Sequence, residues 1–246
     1  MLMKKNFPLS FPLLTASAIG VVSLLLGMKT VTQGPSRLTI PSLEAPGILY
    51  VRNPGGPTLG YVAQSGVKIL VLEGRSFKDL NKNGVLDKYE DWRLPVQERA
   101  LDLSAKLSIA QIAGLMLYSA HQAIPASSGS FAFGTYQGKK FTEGGIDAAE
   151  VTDQQRHFLL EDNLRHILLT QVQSPEIAAR WNNNVQALVE GAGFGIPANN
   201  SSDPRHGTNS GVEYTAGAGG QLSQWPDELG LAATFDPAVT QQFGAI

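Results

Sequence analysis

From Thr152 onward, hydrophobic and polar positions alternate between a helical period and short apolar runs. Thr152 and Gln155 stand at capping-box spacing and open a helix to about Asn163, after which His166 to Val172 (HILLTQV) reads as a buried strand. Ser174 followed by Pro175 starts a second helix. Its Ile177, Trp181, Val185 and Leu188 share one face, and it stops at Gly191. Phe194 to Ala198, entered through glycines, predicts a further short buried strand, and Gly230 to Thr234 (GLAAT) another. Asp236 then caps a helix begun by Pro237. Strand, helix, strand, strand, helix is the opening of a parallel barrel or a doubly wound sheet.

Upstream the pattern is less regular. Pro95 to Tyr118 is helical, with Leu101, Leu103 and Leu107 ahead of a break at Ser108. Ser108 and Gln111 form a second capping-box spacing before Ile109, Ile112, Leu115 and Met116, and both apolar stripes are expected in the core. Residues 119–151 are rich in Gly, Ser and Ala and read as a long loop, with His121, Lys139 and Lys140 solvated. Val51 to Leu72 alternates loosely between β-branched residues and Gly/Pro, which predicts short strands and a hairpin ending in VKILVLEG.

The N-terminus sets a compartment. Lys4 and Lys5 precede a largely apolar run from Phe7 to Met28, the layout of a bacterial export signal, so a periplasmic or secreted location is expected. No clean small-x-small cleavage site follows, which keeps an uncleaved anchor as the alternative and as the sole membrane contact. The expected organisation is a signal or anchor over 1–30, a linker over 31–50, a β-rich preface over 51–94, and an α/β domain over 95–246. A (β/α)8 barrel takes about 250 residues of its own, so 95–246 is expected to hold an incomplete, truncated one.

With 246 residues and 43% of them hydrophobic, the chain can bury a core. A formal charge of -2 without any Lys/Arg block excludes a nucleic-acid footprint. Zero cysteines exclude disulfides, thiolate metal sites and cysteine nucleophiles.

The preface contains the most specific motif. Asp79 to Glu90 (DLNKNGVLDKYE) fits the calcium-loop pattern D-x-[DN]-x-[DN]-G-x5-E at each defined position. Asp79, Asn81 and Asn83 would coordinate Ca2+ through side chains and Val85 through its carbonyl, Gly84 permits the turn, Asp87 acts directly or through water, and Glu90 closes the site. A strand before it and Pro95 after it leave an EF-hand-like loop without paired helices, suited to a structural site of modest affinity. A metal-free, Asx-rich turn is the alternative.

Gly193 to Gly207 (GFGIPANNSSDPRHG) is the candidate substrate segment. An apolar strand that ends in Asp203, Arg205 and His206 makes a pocket wall where parallel folds gather their loops. Ser202-Asp203-Pro204-Arg205 is equally a turn tetrad. Gly191-Ala-Gly193-Phe-Gly195 and Gly217-Ala-Gly219-Gly220 lack the dinucleotide spacing, and Ser210 does not sit in G-x-S-x-G.

GIPANNSSDPRHG, WPDELGLAATFDP and FKDLNKNGVLDKYEDWRLP together resemble the N-terminal region of glycoside hydrolase family 3, the exported β-glucosidases and relatives, from about Phe77 to Ile246. The resemblance implies a TIM-type (β/α)8 barrel followed by an α/β sandwich, and hydrolysis of terminal β-linked sugars from oligosaccharides or β-glucosides with retention. It implies that Asp203 binds hydroxyls of the terminal sugar while Arg205 and His206 hold the turn. The family's nucleophile and acid/base have no counterpart in this chain, so the polypeptide alone is expected to be inactive. The competing expectation is a calcium-dependent, non-catalytic carbohydrate-binding or interaction protein.

Overall fold

The computed structural model describes residues 47–127, 134–202 and 225–245. The signal or anchor and most of the linker, and Asp203, Arg205 and His206, lie outside the described residues.

Two antiparallel hairpins come first. β1 (Ile48–Arg52) pairs with β2 (Thr58–Val62), and β3 (Lys68–Leu72) with β4 (Arg75–Asp79). The β3–β4 turn has Glu73 at φ 53° and Gly74 at φ 72°, the pair of left-handed residues whose twist suits a two-residue hairpin. Asn53 ties the hairpins together, because its Oδ1 accepts Ser76 N at 2.7 Å and its Nδ2 donates to Ser76 O at 3.0 Å. Fully buried Phe77 stacks on Trp92 with ring centroids 5.4 Å apart. Short strands are thus present as expected, but Lys68–Leu72 opens the second hairpin instead of ending one, because its partner β4 follows it across the Glu73–Gly74 turn.

α1 (Val96–Lys106) and α2 (Ile109–Leu115) meet at Ser108 as the spacing predicts. Gln111 N donates to Ser108 Oγ at 3.2 Å and Ser108 N to Gln111 Oε1 at 2.9 Å. The expected burial of their stripes is corrected: Leu101 is 70% exposed, Ile109 87% and Met116 82%. Periodicity fixes which side chains share a face, but only Leu103, Leu107 and Leu115 of these stripes are even half-buried.

The long-loop reading of 119–151 also needs correction. Tyr118–Ile124 form β5, parallel to β6 (His166–Val172) with two register shifts. Its polar residues conceal it: Gln122 is buried in the sheet, and His121 is half-buried there rather than solvated. Lys139 and Lys140 are exposed as expected.

β6, α3 (Asp153–Leu160) and α4 (Pro175–Glu190) follow the pattern closely. Leu159, Ile167, Val172, Trp181, Val185 and Val189 form the centre of the core. The Gln155 side chain links three elements from a fully buried position. Its Oε1 accepts Thr152 N at 3.0 Å and Trp181 Nε1 at 3.1 Å, while its Nε2 donates to Gln122 Oε1 at 3.1 Å. Ser174 Oγ accepts Ile177 N at 3.2 Å at the start of α4. Ser174→Ala is therefore expected to cost about 1 kcal/mol, seen as a melting midpoint lower by roughly 2–4 °C in calorimetry.

Two further strand expectations fail. Phe194–Ala198 is a turn and loop, because Gly193 (φ 53°) and Gly195 (φ 63°) are left-handed and Gly195 N returns to Ala192 O. The strand is β7 (Asn199–Ser202), parallel to β6. Gly230–Thr234 is not a strand either: Glu228–Ala233 form helix α5, as Leu and two alanines behind Asp227 and Glu228 favour. α6 (Pro237–Ala245) starts at the expected cap, with Ala238 N donating to Asp236 Oδ1 at 2.9 Å. The described sheet has three strands in the order β5-β6-β7, an α/β arrangement with helices between parallel strands. No helix among the described residues is long and apolar enough to cross a membrane.

Candidate functional site

The three strands run in the same direction, with Ile124 opposite Val172 and Ser202 opposite Leu169. Gln173 N still donates to Ile124 O at 2.8 Å, so β5 and β6 stay joined up to their C-terminal ends. Asp203 follows Ser202 directly in sequence and lies outside the described residues.

Side chains that the sequence pattern did not single out hold β7 in place. Among the described residues, Arg165 is buried without a carboxylate partner. It donates from Nε to Ile196 O at 2.9 Å and from Nη1 to Leu159 O at 2.6 Å and Leu164 O at 2.8 Å. Burial pulls its pKa below the usual guanidinium value. Gln186 of α4 grips Ala198 on both sides, its Nε2 donating to Ala198 O at 2.9 Å and its Oε1 accepting Ala198 N at 3.1 Å. These two residues fix the extended segment that enters β7. Their signal in sequence is weak, since an Arg opening a strand and a Gln on a helix are ordinarily solvated.

Asp79 to Glu90 is the second candidate region, and the structure brings its ends together. Glu90 Oε1 accepts Leu80 N at 2.7 Å and Asn81 N at 3.3 Å, and its Oε2 accepts Asp87 N at 3.0 Å. Asp87 Oδ2 receives the amides of Asn81 at 2.7 Å and Asn83 at 2.8 Å. Asp79 is fully buried; its Oδ2 accepts Gly84 N at 3.0 Å. Gly84 has φ 77°, the sharp turn assigned to it. Val85 is exposed at the far end of the loop. Burial raises the Glu90 carboxyl above its ordinary value, opposed by the backbone N–H groups of Asp87 and Leu80. Burial foremost, and then the Glu90 charge, pushes the Tyr89 phenol up.

α1 is docked on the end of this loop. Tyr89 N donates to Asp102 Oδ2 at 3.1 Å, Arg99 Nε to Tyr89 O at 3.0 Å, and Lys106 lies 3.3 Å from Asp87. On the other side the hairpins meet the end of α4, where Glu190 takes Lys78 at 2.7 Å and Val62 N at 3.0 Å. A cavity of about 430 Å³ lies beside that clamp, lined by Tyr50, Leu80, Arg99, Gln186 and Pro197 among others.

No family model matches the chain. It is 33% identical over 183 residues to the periplasmic β-glucosidase/β-xylosidase of Dickeya chrysanthemi, covering 74% of this chain and 25% of that protein. Against a probable β-glucosidase C of Aspergillus oryzae the identity is 27% over 175 residues, 70% of this chain and 24% of the relative. β-Glucosidase C of Emericella nidulans is 25% identical over 171 residues, 68% of this chain and 24% of the relative. The chain thus spans about a quarter of the length of the curated relatives it matches.

Proposed function

We propose, taking as premise that the chain is the N-terminal portion of a glycoside hydrolase family 3 protein, that the intact protein is an exported, exo-acting, retaining β-glycosidase. What carries this reading is the similarity to proteins named β-glucosidase over about 70% of the chain. The sheet geometry adds support, since β5, β6 and β7 run parallel, and parallel α/β folds bind ligands beyond the C-terminal ends of such strands.

In this reading Asp203 accepts hydrogen bonds from hydroxyls of a terminal β-linked glucose or xylose. Arg205 and His206 hold its turn, and Arg165 and Gln186 position the strand. A carboxylate suits the task because charge-assisted hydrogen bonds are about twice as strong as neutral ones. Retention requires two carboxyl groups about 5 Å apart, one attacking the anomeric carbon and one protonating the leaving oxygen. Both belong to the remaining portion of the protein, so residues 1–246 alone do not turn over substrate. Export to the periplasm or beyond follows from the N-terminal signal or anchor.

The test compares the intact gene product with its Asp203→Ala variant on an aryl β-glucoside. Losing hydrogen bonds to a charged group predicts a fall of about 10- to 150-fold in kcat/KM. Unchanged kinetics would remove Asp203 from the site, and turnover by purified 1–246 would refute the assignment of the catalytic pair. Sugar binding by the intact product without hydrolysis would instead identify a calcium-dependent, non-catalytic binding protein.

A further inference from the structure

The glycosidase reading leaves the Asp79–Glu90 loop unused, yet it holds an atom that needs explaining. Asp79 Oδ1 is buried and has no hydrogen-bond partner among the described residues, although the other oxygen of the same carboxylate is held by Gly84 N at 3.0 Å. A buried anionic oxygen without a donor is costly, and native proteins rarely leave one bare. Gly84 sits in the middle of the loop, so that bond turns the carboxylate into the loop.

The neighbouring oxygens are arranged by the loop's own N–H groups. Asn81 Oδ1 accepts Asn83 N at 3.1 Å, and Asn83 Oδ1 accepts Val85 N at 2.7 Å. Each amide oxygen retains a second lone pair. Asp87 and Glu90 are drawn inward by the bonds described above, and the first and last residues of the loop flank the same backbone at Leu80. His, Cys, Asp and Glu side chains alone make no metal-sized cluster among the described residues. The fit therefore depends on Asp79 Oδ1 acting together with amide and carbonyl oxygens.

We propose that Asp79–Glu90 binds a divalent cation of calcium's size and hardness, with Asp79 Oδ1 as its anchoring ligand. Asn81, Asn83, Asp87, Glu90 and the Val85 carbonyl complete an all-oxygen donor set. All-oxygen sites select hard cations, and a flexible turn mixing carboxylates with neutral oxygens suits calcium better than magnesium, which demands a strict octahedron. Three carboxylates and two amides place the affinity in the range of about 10⁻⁴–10⁻³ M typical of extracellular modules. The cation takes over the role that the Asn81 and Asn83 amides now play at Asp87. It couples β4 to α1, because Tyr89 and Asp87 carry the bonds to Asp102 and Lys106.

The full chain, stripped with chelator, is titrated with calcium, with magnesium and with terbium, whose emission is sensitised through Tyr89 and Trp92. Calcium at a hundred times its dissociation constant is expected to raise the melting midpoint by about 5–11 °C. Magnesium at the same concentration gives less than half of that. Asp87→Ala weakens binding about tenfold or more. Asn83→Asp, which adds charge without shortening the side chain, tightens it several-fold and keeps the test decisive where Asp79→Asn fails to fold. No calcium shift up to 10 mM, no sensitised terbium emission, or an Asn83→Asp variant that binds no tighter than the parent overturns the proposal.

Discussion

Replacing Trp181 with alanine is expected to destabilise the described domain by about 3–5 kcal/mol, the cost of emptying a fully packed aromatic site. The side chain is 0% exposed and sits on α4 against β6, among Leu159, Ile167, Val185 and Val189. Its indole Nε1 donates to Gln155 Oε1, which also takes Thr152 N, so truncation removes packing and one arm of a buried polar junction together. Trp181→Phe separates the two: it keeps most of the ring volume and is expected to cost about 1–2 kcal/mol for the lost hydrogen bond and altered shape. Urea unfolding followed by circular dichroism reads both values. A loss under about 1 kcal/mol for Trp181→Ala would mean that α4 does not bury this face against the sheet.

The second large effect reverses an ordinary expectation. Glycine inside a helix normally costs about 1 kcal/mol relative to alanine, so helix propensity alone makes Gly114→Ala in α2 a stabilising change. Here a Cβ at position 114 would stand 2.2 Å from Asp162 O and 2.7 Å from the Asn163 carbonyl carbon. Backbone cannot swing aside as a flexible side chain does, so α2 must lift from the turn that precedes β6. The expected loss is about 3 kcal/mol, the upper end of ordinary overpacking. Gly244→Ala in α6 supplies the control, since among the described residues nothing lies within 4 Å of its Cβ position. That change is expected to be neutral or to stabilise by up to about 1 kcal/mol. Equal behaviour of the two variants in thermal melts would show that the α2 contact is not made.

The difference between what was legible in the sequence and what was not follows the range of the interactions. Ser108 with Gln111, Thr152 with Gln155, and Ser174 ahead of Pro175 were readable because each cap is completed within three residues. The Asp79–Glu90 loop was readable because its polar positions lie in one continuous twelve-residue stretch, although its closing bond from Leu80 N to Glu90 spans ten residues. β5 escaped because Ser119, His121 and Gln122 break its apolar run, and what makes Gln122 acceptable inside is a partner 33 residues away, Gln155. β7 escaped because Asn199–Ser202 has no apolar residue at all; its place is fixed by Arg165 and by pairing with β6. Gly230–Thr234 shows the opposite failure, a short apolar run whose period cannot separate strand from helix. The α1 and α2 stripes show a third: the shared face was correct, and its burial did not follow. Of the candidate site, the strand end ahead of Asp203 was legible only after a shift of several residues, while Arg165 and Gln186, which hold it, were not.

The bond from Val62 N to Glu190 crosses 128 residues of sequence, and Lys78 meets the same carboxylate from 112 residues away. At synthesis rates of about 5–20 residues per second, roughly 6–25 s separate the emergence of Val62 from that of Glu190. For most of that interval both N-terminal hairpins are outside the ribosome, with Lys78 lacking its counter-charge and Val62 N lacking its acceptor. The hairpin–α4 clamp is therefore completed late, only once α4 has emerged, and the hairpins must hold their own pairing until then.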